Sequence, residues 1–167
     1  MMEVRLAAVR VDLQSNTPVI LLQEKDGDRS LPIFIGAPEA TAIAYAIQGV
    51  DVPRPMTHDL MVDLIGALGA TVVRVVVTEV RETTYYAEIH LEMSGRRFEV
   101  SSRPSDAVAL AARTGSPLFV AEELMDAAGV LVETGEDDDE ETRGEPDEIV
   151  GRFREFLDQV RPEDFSG

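Results

Sequence analysis

Val72-Val73-Arg74-Val75-Val76-Val77-Thr78-Glu79-Val80 is almost continuously β-branched, and such a run reads as a central strand covered on both faces. The next run is patterned differently. Tyr85, Ala87, Ile89, Leu91 and Met93 alternate with Tyr86, Glu88, His90 and Glu92, the period-two pattern of a strand with one core face and one polar face. Ser94-Gly95 turns the chain into residues 96–101 and completes a hairpin. Arg103-Pro104-Ser105-Asp106 then precedes a helical run over 107–113, because proline and small polar residues suit a helix start. A short strand over 117–120 and a helix over 122–128, stopped by Gly129, follow.

Toward the N-terminus, 3–13 and 17–24 read as strands, and Asp26-Gly27 makes a hairpin turn into a third strand over 31–35. Gly36-Ala37-Pro38-Glu39 opens a helix over 38–48 whose side chains are small and apolar nearly all round, which predicts burial and close approach to a partner. Arg54-Pro55-Met56-Thr57-His58-Asp59 opens another. There Leu60, Met61, Leu64, Ile65 and Leu68 form one stripe, Asp59, Asp63 and Gly66 lie opposite, and Gly69 ends the helix. The expected fold class is α+β: one domain over residues 1–132, with a mixed β-sheet packed against several helices.

Composition bounds what surrounds this domain. The chain has 167 residues, 44% of them hydrophobic, enough for one good core. It has no cysteine, which excludes disulfides and thiolate zinc sites. No basic leader precedes an apolar segment and no apolar run approaches spanning length, so a cytoplasmic protein without a membrane association is expected. Lys25 is the single lysine beside fourteen arginines, a bias that fits a GC-rich bacterial genome. The net charge is −17, and residues 133–148, with ten acidic residues and one arginine, account for −9 of it. That stretch has almost no large apolar side chain and reads as a disordered acidic linker. Beyond it Ile149, Val150, Phe153, Phe156, Leu157 and Val160 recur at helical spacing, which predicts an amphipathic helical tail over 149–167.

The two arginine-proline phrases are the candidate functional elements. A helix N-terminus presents unpaired N–H groups and a partial positive charge, so an arginine beside it makes an anion site. The same residues have a structural reading, since Ser105, Asp106, Thr57 and Asp59 are good capping types. His90 with Glu88 and Glu92 makes a metal-like stripe that alternation alone also explains.

Three separated stretches carry a family resemblance. Leu31-Pro32-Ile33-Phe34-Ile35-Gly36 with Glu39-Ala40, then Pro53-Arg54-Pro55-Met56-Thr57-His58-Asp59-Leu60, then Arg103-Pro104-Ser105-Asp106-Ala107-Val108-Ala109-Leu110-Ala111 together resemble the bifunctional nuclease domain family. The resemblance implies an α+β domain, homo-oligomeric assembly as a dimer or trimer, and action on DNA and RNA. The family pattern has an acidic residue two positions before the last arginine, where this chain has Ser101.

Hydrolysis of a phosphodiester requires an activated water and stabilisation of phosphoryl charge, for which carboxylates holding Mg²⁺ or Mn²⁺ are a common solution. Glu39, Asp59 and Asp106 are the metal candidates, each in the first turn of an expected helix beside a motif. Arg54 and Arg103, with Thr57 and Ser105, are candidates for phosphate, and His58, Asp59 and Asp106 for catalysis. The expectation is a metal-assisted nuclease without strong sequence specificity, since an acidic protein needs cations to approach phosphate. The alternative is a non-catalytic oligomeric interaction or regulatory module that uses the apolar helix over 38–48 and the tail. A third reading makes the acidic linker an autoinhibitor folded over the arginines.

Overall fold

The computed structural model describes residues 1–131. The acidic linker over 133–148 and the tail over 149–167 lie outside the described residues. Met1–Val132 forms one compact unit. Its elements in chain order are β1 (Met2–Asp12), β2 (Thr17–Glu24), β3 (Arg29–Phe34), α1 (Ala37–Gln48), α2 (Thr57–Ala67), β4 (Ala70–Arg81), β5 (Thr84–Met93), β6 (Arg96–Ser102), α3 (Pro104–Thr114), β7 (Leu118–Val120), α4 (Glu122–Ala128) and β8 (Val130–Leu131).

The strands make one sheet in the order β6-β5-β4-β7-β1-β2-β3-β8. Neighbours run antiparallel except β4 and β7, which are parallel, so the sheet is mixed and the class is α+β as expected. Register builds the core in rows. Leu6, Leu22 and Leu31 stand opposite one another, as do Val9, Ile20 and Ile33, and so do Ile89, Val75, Leu118 and Val4. Ile20, Leu22 and Leu31 have no exposed surface, and each such side chain contributes about 1.5–3 kcal/mol of burial free energy.

The helices pack on this frame as their side chains allow. Ala107, Val108, Ala109, Leu110 and Ala111 are all buried, so α3 is covered nearly all round, touching α1, α2, β4 and β5. It must lie over the Ala87 and Ile89 face of β5, because the alternate face carries Glu88, His90 and Glu92. Gly49 and Gly115 end α1 and α3 in the left-handed conformation, φ 61° and 69°, where a side chain costs about 1 kcal/mol or more.

Four expectations change. Of α1, which packs against α3, β1 and β2, only Ala40, Thr41, Ala42 and Ile43 are buried, and Ile47 is 57% exposed. In α2 the apolar stripe divides: Leu60, Leu64 and Leu68 are exposed, while His58 is the buried residue. Met61, Val62 and Ile65 are part-buried, and α2 leaves its row at i, i+4 and i+8 outside its contacts with α3 and β4. In β4 only Val75, Val76 and Val77 are covered on both faces, and Val73 is exposed. α3 begins at Pro104, three residues before the apolar run, and the two-residue β8 had no signal in the sequence.

Candidate functional site

Three helices begin close together, and none has a side-chain cap. The residues preceding α1, α2 and α3 are Gly36, Met56 and Arg103, each extended and without a capping side-chain hydrogen bond. Their first-turn N–H groups therefore keep their unpaired character, and the first-turn acids Glu39, Asp59 and Asp106 sit at the positive ends of the helices.

Two of those acids converge on one arginine. The Arg103 Nε and Nη2 groups donate to Asp106 Oδ2 and Oδ1 at 2.7 and 3.0 Å, a bidentate pair, and Nη1 lies 3.0 Å from Glu39 Oε1. His58 Nε2 stands 2.9 Å from the same Asp106 Oδ1. Glu39 of α1, His58 of α2, and Arg103 and Asp106 of α3 thus form one network. Arg103 is its accessible member at 64% side-chain exposure, against 9% for His58. Burial pushes the Asp106 carboxyl up, but the hydrogen bonds from Arg103 and His58 outweigh it and hold the group below its ordinary value. An ionised Asp106 accepts from a proton-bearing Nε2, so a neutral imidazole at this position would carry its lone pair on Nδ1.

Asp59 is elsewhere. Arg113 Nε donates to its Oδ1 at 2.6 Å, and the Met56 amide donates to its Oδ2 at 2.9 Å. The Arg113 bond, then the Met56 amide, hold the Asp59 carboxyl below its ordinary value. Asp59 so closes the first turn of α2 from within, which is half of a capping box. Arg113 was not foreseen, and its only signal was a cation in the last turn of a helix. Tyr45, Asp51, Asp59 and Arg113 help line a cavity of about 260 Å³ beside the end of α1, apart from the His58 network.

The remaining candidates separate. Arg54 and Thr57 are exposed and make no side-chain hydrogen bond or ion pair among the described residues. Ser105 is 6% exposed and faces the interior rather than an approaching phosphate. His90 stands between Glu88, 3.5 Å from Nε2, and Glu99, 3.6 Å from Nδ1, while Glu92 stays apart, so the expected stripe becomes a cross-strand group. Ser101 is exposed on β6 opposite Glu88.

The residues do not fit a shared divalent-metal site as they stand. Among the described residues no three His, Asp or Glu side chains come together to hold one. Glu39 and Asp106 flank a guanidinium, and Asp59 is engaged with a different one.

The family described as "Bifunctional nuclease domain" matches residues 20–133. An uncharacterized protein of Mycobacterium tuberculosis (strain ATCC 25618 / H37Rv) is 47% identical over 163 residues, which is 98% of this chain and 97% of that protein. "Bifunctional nuclease 1" of Arabidopsis thaliana is 29% identical over 123 residues, 71% of this chain and 38% of its own length. "Bifunctional nuclease 1" of Oryza sativa subsp. japonica is 28% identical over 105 residues, 61% of this chain and 32% of its own. The match thus spans about a third of each plant protein. Among the described residues no helix is long and apolar enough to cross a membrane.

Proposed function

We propose that this chain, which belongs to the bifunctional nuclease domain family, hydrolyses phosphodiester bonds of DNA and RNA without strong sequence specificity, with His58 as the proton-transfer group. The observation that carries this reading is the 2.9 Å contact of His58 Nε2 with an Asp106 held bidentately by Arg103, at the start of three helices. The plant relatives named as bifunctional nucleases support the substrate class.

The phosphodiester rests on Arg103, whose exposed guanidinium and the neighbouring helix N-termini supply positive charge to the phosphoryl oxygens. Asp106 fixes the His58 tautomer as an orienting carboxylate. His58 Nδ1 takes a proton from the attacking water as its oxygen bonds to phosphorus, and the proton returns to the departing oxygen as the P–O bond breaks. Contacts confined to phosphate carry no base information, which accounts for weak sequence specificity. Arg103 takes the charge-stabilising role that the sequence assigned to Mg²⁺ or Mn²⁺.

The burial of His58 favours a second reading, in which the network is a brace between α1, α2 and α3 and the domain is an interaction module. Purified protein with supercoiled DNA and with RNA separates the two, in Mg²⁺, in Mn²⁺ and in chelator. The nuclease reading expects cleavage that persists in chelator and falls about 100-fold or more in His58→Gln and in Asp106→Asn, both still folded by circular dichroism. Cleavage equal to the parent protein in both variants would sink it, and a strict divalent requirement would replace Arg103 by a metal in the mechanism.

A further inference from the structure

The cavity of about 260 Å³ beside the ends of α1 and α3 takes no part in the His58 network, yet three of its polar groups are uncommitted. Tyr45 and the exposed Asp51 make no side-chain hydrogen bond or ion pair among the described residues. Arg113, whose side chain is 10% exposed, directs Nε to Asp59 Oδ1 and Nη1 to the Ala109 carbonyl. Its Nη2 has no partner among the described residues. At Gly49 the wall is bare backbone, and a Cβ there would meet nothing within 4 Å.

Charge decides what such a cavity can hold. An anion would face the Asp51 and Asp59 carboxylates and the carbonyl ends of α1 and α3, which carry partial negative charge. A cation would lie against the Arg113 guanidinium. A neutral ligand meets neither penalty if it brings donors for Asp51 and an acceptor for Arg113 Nη2. A volume below the roughly 300–1,000 Å³ of clefts for drug-sized ligands limits it to one small ring system. Tyr45 adds an aromatic side chain of the kind on which bases stack. Among the nucleobases, guanine presents two donors side by side, N1–H and the N2 amino group, with acceptors O6 and N7 for a guanidinium. We propose that this cavity binds one unpaired guanine base, with Asp51 accepting from N1–H and N2–H and Arg113 Nη2 donating to O6. A single strand and a free guanine nucleoside offer the same edges. In a duplex the cytosine partner occupies N1 and N2, so duplex DNA keeps the weak specificity of phosphate contacts while unpaired strands gain affinity for guanine.

Calorimetric titration of the full chain with guanosine, adenosine, cytidine and uridine tests this, beside fluorescence anisotropy with an oligodeoxyadenylate that does or does not carry one central guanine. Guanosine should bind about tenfold or more tighter than the other three nucleosides, and inosine, which lacks the N2 amino group, should fall between. Asp51→Asn leaves one acceptor where two are needed and should weaken guanosine about tenfold or more. Its melting temperature should match the parent, because Asp51 holds no other side chain among the described residues. A guanine preference in only one of the two assays names the source, nucleoside or strand. Equal binding of guanosine and adenosine with no gain from the strand guanine overturns the proposal. So does parent-like guanine binding by Asp51→Asn, or no guanosine binding tighter than about 1 mM together with an indifferent strand. Every readout is binding, so failure here leaves cleavage through His58 standing, and loss of that cleavage leaves the cavity to be judged by itself.

Discussion

The arginine-proline phrase at residues 54–59 and the one at 103–106 use nearly the same words and end in different structures. In the second, arginine and aspartate turn on each other: Arg103 holds Asp106 bidentately, and Glu39 joins from α1. In the first they part. Arg54 is left exposed, while Asp59 turns inward to Arg113 at the far end of α3. Between them lies His58, which crosses from the first phrase to the aspartate of the second. α3 is thus held by α2 near both ends, through adjacent residues of α2 that point in different directions. A helix-start motif specifies a helix start, and the role of each charged residue in it is set by what packs alongside.

The contrast can be broken most sharply at Arg113. Its side chain is 10% exposed and Asp59 29%, so Arg113→Met leaves a largely covered carboxylate without its main partner and should cost about 1–3 kcal/mol. Thermal or urea unfolding reads this loss directly. A cost near zero would mean that Asp59 needs only the Met56 amide and that α2 is not anchored through Arg113.

Acid should act on the two phrases together. Asp59 and Asp106 are both held below the ordinary aspartate value of 3.8. The stability that each contributes is therefore full above that value, and it is lost as pH falls through it toward the lowered folded value. Between about pH 5 and pH 3 the melting temperature should fall, and in Asp59→Asn the fall should be shallower. An equally steep fall in Asp59→Asn would remove Asp59 from the acid sensitivity.

Arg54 should give the smallest effect on the fold. Arg54→Ala should change stability by no more than about 0.5 kcal/mol, since its side chain holds nothing among the described residues. If it contacts phosphate, the same variant should reduce the salt dependence of nucleic-acid binding by about one unit of slope. Fluorescence anisotropy across a salt series measures this. An unchanged slope would confine phosphate contact to the second phrase.

Much of this architecture was legible along the chain. The limits of β2 and α4 match expectation, and β1, β3–β7, α1 and α2 fall within a few residues of it, because strand and helix periodicities are local. The gathering of Glu39, His58, Arg103 and Asp106 was legible only as a set of helix-start residues. Their bonds were not, nor was the removal of Asp59 from the group. β8 is too short to carry a pattern, and the exposed row of α2 looked like core because an apolar stripe does not say how wide its neighbour is.

By itself the sequence determined the α+β class, the three helix starts, the family and the uneven distribution of charge. These follow from spacing within a few residues and from composition. Tertiary structure alone decided that Asp59 takes Arg113 from 54 positions away and His58 takes Asp106 from 48. It also decided that Arg103 stands between two carboxylates and that β6 is the outermost strand of its side of the sheet among the described residues. Each depends on which helices the order of the strands brings side by side, and no local signal carries that order.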